Sequence, residues 1–99
     1  MLPIIWRDSA RADLAEIIRY IADEAPQAAR QLKNYLESAV LPLAEHPYLY
    51  RSGRVPGTRE LVAHPNYVLV YRVAAECIEV VSVLHSRQEY PEPLTHSAF

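Results

Sequence analysis

Halfway along this chain the spacing of apolar residues changes from a helical period to a strand period. Leu14, Ile17, Ile18 and Ile21 recur at i, i+3, i+4 and i+7. That spacing puts one apolar stripe on a helix from about Ala10 to Glu24. Arg11, Asp13, Glu16, Arg19 and Asp23 fall on the opposite, solvated face, and Asp8-Ser9 offers the helix an N-cap. Ala25-Pro26 breaks this helix and starts another, because a proline in the first turn lacks only an amide that had no partner there. Ala29, Leu32, Leu36, Ala39, Val40 and Leu43 continue at helical spacing. The short connection predicts an antiparallel helical hairpin. Pro42 is expected to kink or end the second helix, since it cannot donate to the Ser38 carbonyl.

From Glu45 to Gly57 the periodicity vanishes, and both glycines of the chain, Gly53 and Gly57, lie in this loop. Three strand-like segments follow, Thr58–Ala63, Tyr67–Val73 and Cys77–Leu84, joined by turns at His64-Pro65-Asn66 and Ala74-Ala75-Glu76. Leu2 to Trp6 reads as an additional strand at the start. The expected architecture is α+β. It has an N-terminal strand, an antiparallel helical hairpin, then a three-stranded antiparallel meander, giving one mainly antiparallel sheet with helices on one face. Residues 1–99 form one domain, and Pro91 and Pro93 make 91–99 an irregular tail. The last two strands are almost continuously apolar, which implies cover on both faces. The hairpin supplies one cover. The other face, where Arg72 projects beside Val68 and Val70, is expected to await another macromolecule.

Composition narrows the chemistry. At 99 residues, 51% hydrophobic and 22% charged, the chain is long enough for one core and too apolar for wholesale disorder. Cys77 is the sole cysteine, so no internal disulfide and no paired thiolate ligands exist, and a reducing compartment is expected. No apolar run approaches the ~20 residues of a membrane span, and Met1 to Arg7 is too short for a signal peptide. A cytoplasmic protein without cofactor or metal is the expectation. Arginine supplies every cation but Lys33, yet the net charge is −2, opposite in sign to most phosphate-gripping proteins.

The residues resemble the ParE branch of the RelE/ParE toxin superfamily over nearly the whole length. The likeness is carried by Trp6-Arg7-Asp8-Ser9-Ala10-Arg11-Ala12-Asp13-Leu14, by the loop Gly53 to Val62, and by Tyr67 to Val73 with Ile78 to Val83 and Leu84-His85-Ser86-Arg87-Gln88. The resemblance implies a type II toxin–antitoxin role, in which growth is arrested unless a small antitoxin wraps the toxin. It also implies a choice of target, because RelE-like members cut messenger RNA in the ribosomal A site and ParE-like members poison DNA gyrase.

Candidate residues exist for either mode. Were the chain a ribonuclease, His85 would titrate near neutrality, Arg87 and Arg59 would hold phosphate, and Tyr90 would stack on a base or lend its hydroxyl. The bland alternatives are a strand-end histidine bonded to backbone, arginines paired with Glu60, Glu79 or Glu89, and a tyrosine at the core edge. His46 and His64, each before a proline, read as turn residues. Tyr67 and Tyr71 read as core, whereas Tyr48 and Tyr50 beside Arg51 and Arg54 suit an interface. RelE-like nucleases are similar in being basic ribosome binders with several lysines, so one lysine and an acidic balance favour the gyrase reading. A third reading is an inactive paralogue that only binds an antitoxin and, through it, operator DNA. The expected partner is a ribbon-helix-helix or similar DNA-binding antitoxin, whose acidic tail would meet Arg51, Arg54, Arg59, Arg72 and Arg87.

Overall fold

A computed structural model describes residues 1–91 of the chain. The elements are β1 (Ile4–Trp6), α1 (Asp8–Ala22), α2 (Pro26–Ala39), a 3-10 turn (Leu41–Ala44), β2 (Arg59–His64), β3 (Tyr67–Val73) and β4 (Ile78–His85). The four strands form one sheet in the order β1-β4-β3-β2. The β2–β3 and β3–β4 pairs are antiparallel and β1 runs parallel to β4. This is the expected α+β arrangement, with the helical hairpin on one side of the sheet. The expected irregular tail falls, apart from Pro91, outside the described residues.

Helix α1 starts at Asp8, so Asp8-Ser9 does not cap it. Arg7 holds the cap position, without a side-chain cap. The reason lies in the sheet: the Arg7 amide still donates to the Val80 carbonyl at 2.9 Å, so the chain passes from ladder to helix with no capping turn between. Asp8 instead places its charge in the first turn, where the helix dipole favours it. The Ser9 hydroxyl donates 2.6 Å to the Val81 carbonyl, fastening the helix start to β4. Pro26 opens α2 as expected, and α2 ends at Ala39, just before the 3-10 turn that accommodates Pro42.

The core lies between the hairpin and the sheet. Leu14, Leu36, Val40 and Leu43 meet Leu61, Leu69, Tyr71, Ile78, Val80 and Val83. One irregularity decides which β4 residues take part. Val70 pairs with Ser82 but Tyr71 pairs with Val80, so β4 carries one extra residue and its side-chain alternation reverses there. Ile78 and Val80 before the bulge and Val83 after it thus all reach the same core.

The opposite face corrects an expectation. Val68, Val70 and Leu84 are buried there without any partner chain, because the segment after β4 folds back and lays Tyr90 against them. Val62 on β2, at 58% exposure, and Ile5 on β1, at 38%, are large apolar strand residues left open on that side.

The loop before β2 closes tightly. Gly57 has φ +84°, a conformation open to glycine at no steric cost. A Cβ on Gly53 would sit 2.5 Å from Thr58 Oγ1 and 3.2 Å from Glu60 Cγ. Gly53→Ala is therefore expected to cost about 1–3 kcal/mol through overpacking, read as a lowered urea midpoint with an unchanged slope. A midpoint equal to wild type would show that the loop yields freely.

Candidate functional site

Two carboxylates organise the sheet face away from the helices. Glu60 stands on β2 opposite Val70, and Glu79 stands on β4 opposite Arg72. Strand alternation points both out of the core, into a setting that is otherwise apolar or basic. A buried carboxylate needs a partner, and the chain supplies arginines. Arg54 grips Glu60 with its amide (2.9 Å), Nε (2.9 Å) and Nη2 (3.1 Å), while the Glu60 side chain is only 3% exposed. Glu79 bridges two arginines, accepting from Arg72 Nε at 3.0 Å and Nη2 at 2.6 Å and from Arg7 Nη2. Hydrogen bonds from Arg54 hold the Glu60 carboxyl below its usual pKa, and those from Arg7 and then Arg72 do the same for Glu79. The Arg54 guanidinium also lies 5.7 Å from the centre of the Tyr90 ring, so the strap over Val68 and Val70 is itself held by a cation–π contact.

The five arginines expected at an interface do not form one patch. Arg54 and Arg72 are on this face but committed to Glu60 and Glu79. Arg59 belongs to the helix side, donating 2.6 Å to the Tyr50 carbonyl and lying 4.8 Å over the Tyr48 ring. Arg51 and Arg87 are exposed and in no ion pair among the described residues. They lie in different loops, one before β2 and one after β4.

Of the four residues considered for ribonuclease chemistry, His85 and Arg87 are neighbours in one turn, but Arg59 and Tyr90 stand apart from them. Arg59 pairs with Tyr71 and the row of His85 pairs with Tyr67, four residues apart on β3, or roughly 13 Å of strand. Tyr90 is on the other side of the sheet from Arg59, packed on Val68 and Val70. His85 Nδ1 accepts the Arg87 amide at 3.1 Å, and its ring stands edge-on to Tyr67 at 5.6 Å. His64 repeats this arrangement, accepting the Asn66 amide at 3.0 Å with its ring 5.7 Å from Tyr67 and 5.9 Å from Tyr35. Both imidazoles close turns. Among the described residues no three side chains of metal-ligating type come together.

Tyr71 is core, as the strand pattern indicates, and its hydroxyl donates 3.0 Å to the Pro47 carbonyl, tying the loop to β3. Burial pushes the Tyr71 hydroxyl pKa up. Sequence reasoning missed Arg7 as a site residue, together with the true partners of Glu60 and Glu79. The available signal was an acidic residue at an outward strand position flanked by Val, Leu or Ile.

The sequence profile of a family described as the ParE toxin of the type II toxin–antitoxin system parDE matches residues 4–90. Y4kP of Sinorhizobium fredii, a candidate toxin by its name, is 38% identical over 92 residues, covering 92% of this chain and 95% of its own. The toxin RelE2 of Caulobacter vibrioides is 36% identical over 88 residues, covering 87% of this chain and 97% of its own. A solved structure of the chromosomal ParDE toxin–antitoxin system from P. aeruginosa superposes with a TM-score of 0.77 at 24% identity, over 86% of this chain and 96% of that one. No helix among the described residues is long and apolar enough to cross a membrane.

Proposed function

The chain belongs to the ParE toxin family of type II toxin–antitoxin systems, and from that premise we propose that it arrests growth in the cytoplasm by poisoning DNA gyrase through binding alone. Membership implies a cognate antitoxin. The observation that carries the target reading is the separation of Arg59 and Tyr90 from the neighbouring pair His85 and Arg87. Cleavage of RNA at the 2′-hydroxyl needs a base, an acid and phosphate-holding cations within hydrogen-bond reach of one reacting centre. Here Tyr90 covers sheet valines and Arg59 is bound to a loop carbonyl. The scarcity of lysine and the net charge of −2 point the same way. A ribbon-helix-helix antitoxin keeps the protein silent until needed.

Induced expression without the antitoxin tests this. Filamentation, DNA-damage signalling and gyrase–DNA complexes trapped on the chromosome are the expected results. Immediate translation arrest with A-site cleavage would overturn the gyrase reading, and unimpaired growth would overturn toxicity altogether. Combining His85→Ala, Arg87→Ala and Tyr90→Phe, which keeps the ring on Val68 and Val70, should leave toxicity within about threefold of wild type. Loss of a catalytic group would cost at least 100-fold in rate.

A further inference from the structure

Strand β1 accompanies β4 only from Ile78 to Val80. Past that point the outer edge of β4 has no neighbouring strand, and its backbone groups are satisfied one at a time by other parts of the chain. The Arg7 amide takes the Val80 carbonyl and the Ser9 hydroxyl takes that of Val81. Asp13 Oδ2 then accepts the Ser82 hydroxyl at 2.8 Å and the Val83 amide at 3.0 Å, and Gln88 Oε1 accepts the His85 amide at 3.2 Å. The Val83 carbonyl is the group this series omits. In a strand the amide and carbonyl of one residue point to the same side, so this carbonyl faces outward beside Asp13. It has no donor among the described residues, although Val83 is only 2% exposed.

Val83 lines a crevice of about 470 Å³ between the flank of α1 and the end of β4. Ile17 and Ile21 give this crevice an apolar lining, Tyr20 and Tyr67 add aromatic rings, and Asp13 and Glu16 add carboxylates. No arginine or lysine lines it, and neither carboxylate joins an ion pair among the described residues. Asp13 is already fixed through Oδ2, which leaves Oδ1 for an outside donor. Three acceptors therefore stand together, on Asp13, Glu16 and the Val83 backbone, beside two rings. A phosphate backbone is repelled from such a place, and a cation is attracted to it.

We infer that this crevice receives an arginine side chain of the target protein, its guanidinium held by Asp13, Glu16 and the Val83 carbonyl and its methylene stem on Ile17 and Ile21. Arginine fits better than lysine. Its planar fork carries five N–H donors, enough for two carboxylates and a carbonyl at once, and its flat face stacks on tyrosine. A lysine ammonium is a compact, strongly hydrated charge that uses the rings less well. The acidic tail expected of the antitoxin has the wrong sign for this place, so the crevice separates the two partners by charge. The assignment rests on the proposed gyrase reading, in which the chain acts by binding a protein, and it supplies that reading with a contact.

The test titrates the whole chain with purified DNA gyrase and, separately, with the antitoxin encoded with it, thermal melts confirming that each variant folds. Asp13 is left alone because it holds the Val83 amide, whereas Glu16 and Tyr20 are exposed. Glu16→Lys is expected to weaken gyrase binding by about tenfold or more, since a buried guanidinium then meets a like charge. Tyr20→Ala is expected to weaken it by about fivefold through loss of the stacked ring. Glu76→Lys makes the same change in net charge in the exposed turn between β3 and β4 and is expected to stay within about twofold. Antitoxin affinity is expected to stay within about twofold in all three variants. Gyrase binding of Glu16→Lys within that twofold range, an equal loss in Glu76→Lys, or a matching loss of antitoxin affinity would overturn the crevice assignment while leaving the gyrase reading intact. Absence of gyrase binding by the wild-type chain would overturn both.

Discussion

Tyr71→Ala should lower the free energy of unfolding by about 4 kcal/mol, the loss typical when a fully buried aromatic ring is truncated to a methyl group. Tyr71 is at 0% exposure and the bulkiest of the fully buried side chains, so no edge of the cavity opens to water that could fill it cheaply. The ring also carries the hydroxyl that holds the Pro47 carbonyl, joining the long loop to the sheet. Tyr71→Phe separates the two contributions. It keeps the ring and leaves one carbonyl without its donor, for an expected loss of about 1 kcal/mol. Domains of this length shift by roughly 4–8 °C per kcal/mol, so the melting temperature should fall by roughly 15–30 °C for the alanine and by one third of that or less for the phenylalanine. Equal melting of the two variants would show that the loop tether, not the packing, is what Tyr71 supplies.

Acid should unfold the protein through Glu60 and Glu79. Both carboxyls have folded-state pKa values held below their ordinary range by arginine hydrogen bonds. A depressed carboxylate contributes stability that is fully present above the unfolded pKa, near 4.3, and is lost as pH falls through the folded value. Between pH 7 and 5 these groups should leave stability unchanged, and below about pH 4.3 stability should decline steadily. Glu60→Gln removes the charge and keeps most of the shape. Arg54 is 43% exposed, so water screens the pair and the expected loss at neutral pH is about 1.5 kcal/mol, the low end for a charged hydrogen bond. Guanidinium-free urea melts from pH 2 to 7 provide the check. A flattened acid limb in Glu60→Gln with Glu79→Gln is expected, and a limb as steep as wild type would place the acid sensitivity on other carboxylates.

Much of the architecture was legible because it is periodic. The stripe Leu14, Ile17, Ile18, Ile21 and the proline at position 26 mark a hairpin of helices, and β3 falls on Tyr67–Val73 as its almost continuous apolar run indicates. Where a non-local bond competes with a local preference, the pattern misleads. Asp8-Ser9 is a good capping pair, but the Arg7 amide is drawn to Val80 and the serine to Val81, both on a strand more than seventy residues later in the chain. The bulge opposite Tyr71 is equally hidden, because an extra residue in a strand leaves the composition of the run untouched. The site was the least legible part. An arginine reaches several ångströms from its backbone, so which carboxylate it meets depends on strand register and loop path. Arg59 sits next to Glu60 in sequence yet turns to Tyr50, while Arg54 comes from the loop to hold Glu60. The open apolar face failed as an expectation for the same reason, since Tyr90 returns from beyond β4 to cover it.

The parallel pairing of β1 with β4 sets the timing of folding. Ile4, Ile5 and Trp6 align with Ile78, Glu79 and Val80, so the first strand synthesised stays unpaired until the last one exists. Helices and the β2–β3–β4 meander can form from neighbours, but closing this pair spans most of the chain and is entropically the slowest contact. A growing polypeptide therefore lacks the finished sheet, and a partner that recognises the assembled surface meets it only after synthesis has passed residue 80. Neutralisation then becomes a race run after translation, won by whichever binder is already waiting when the sheet closes.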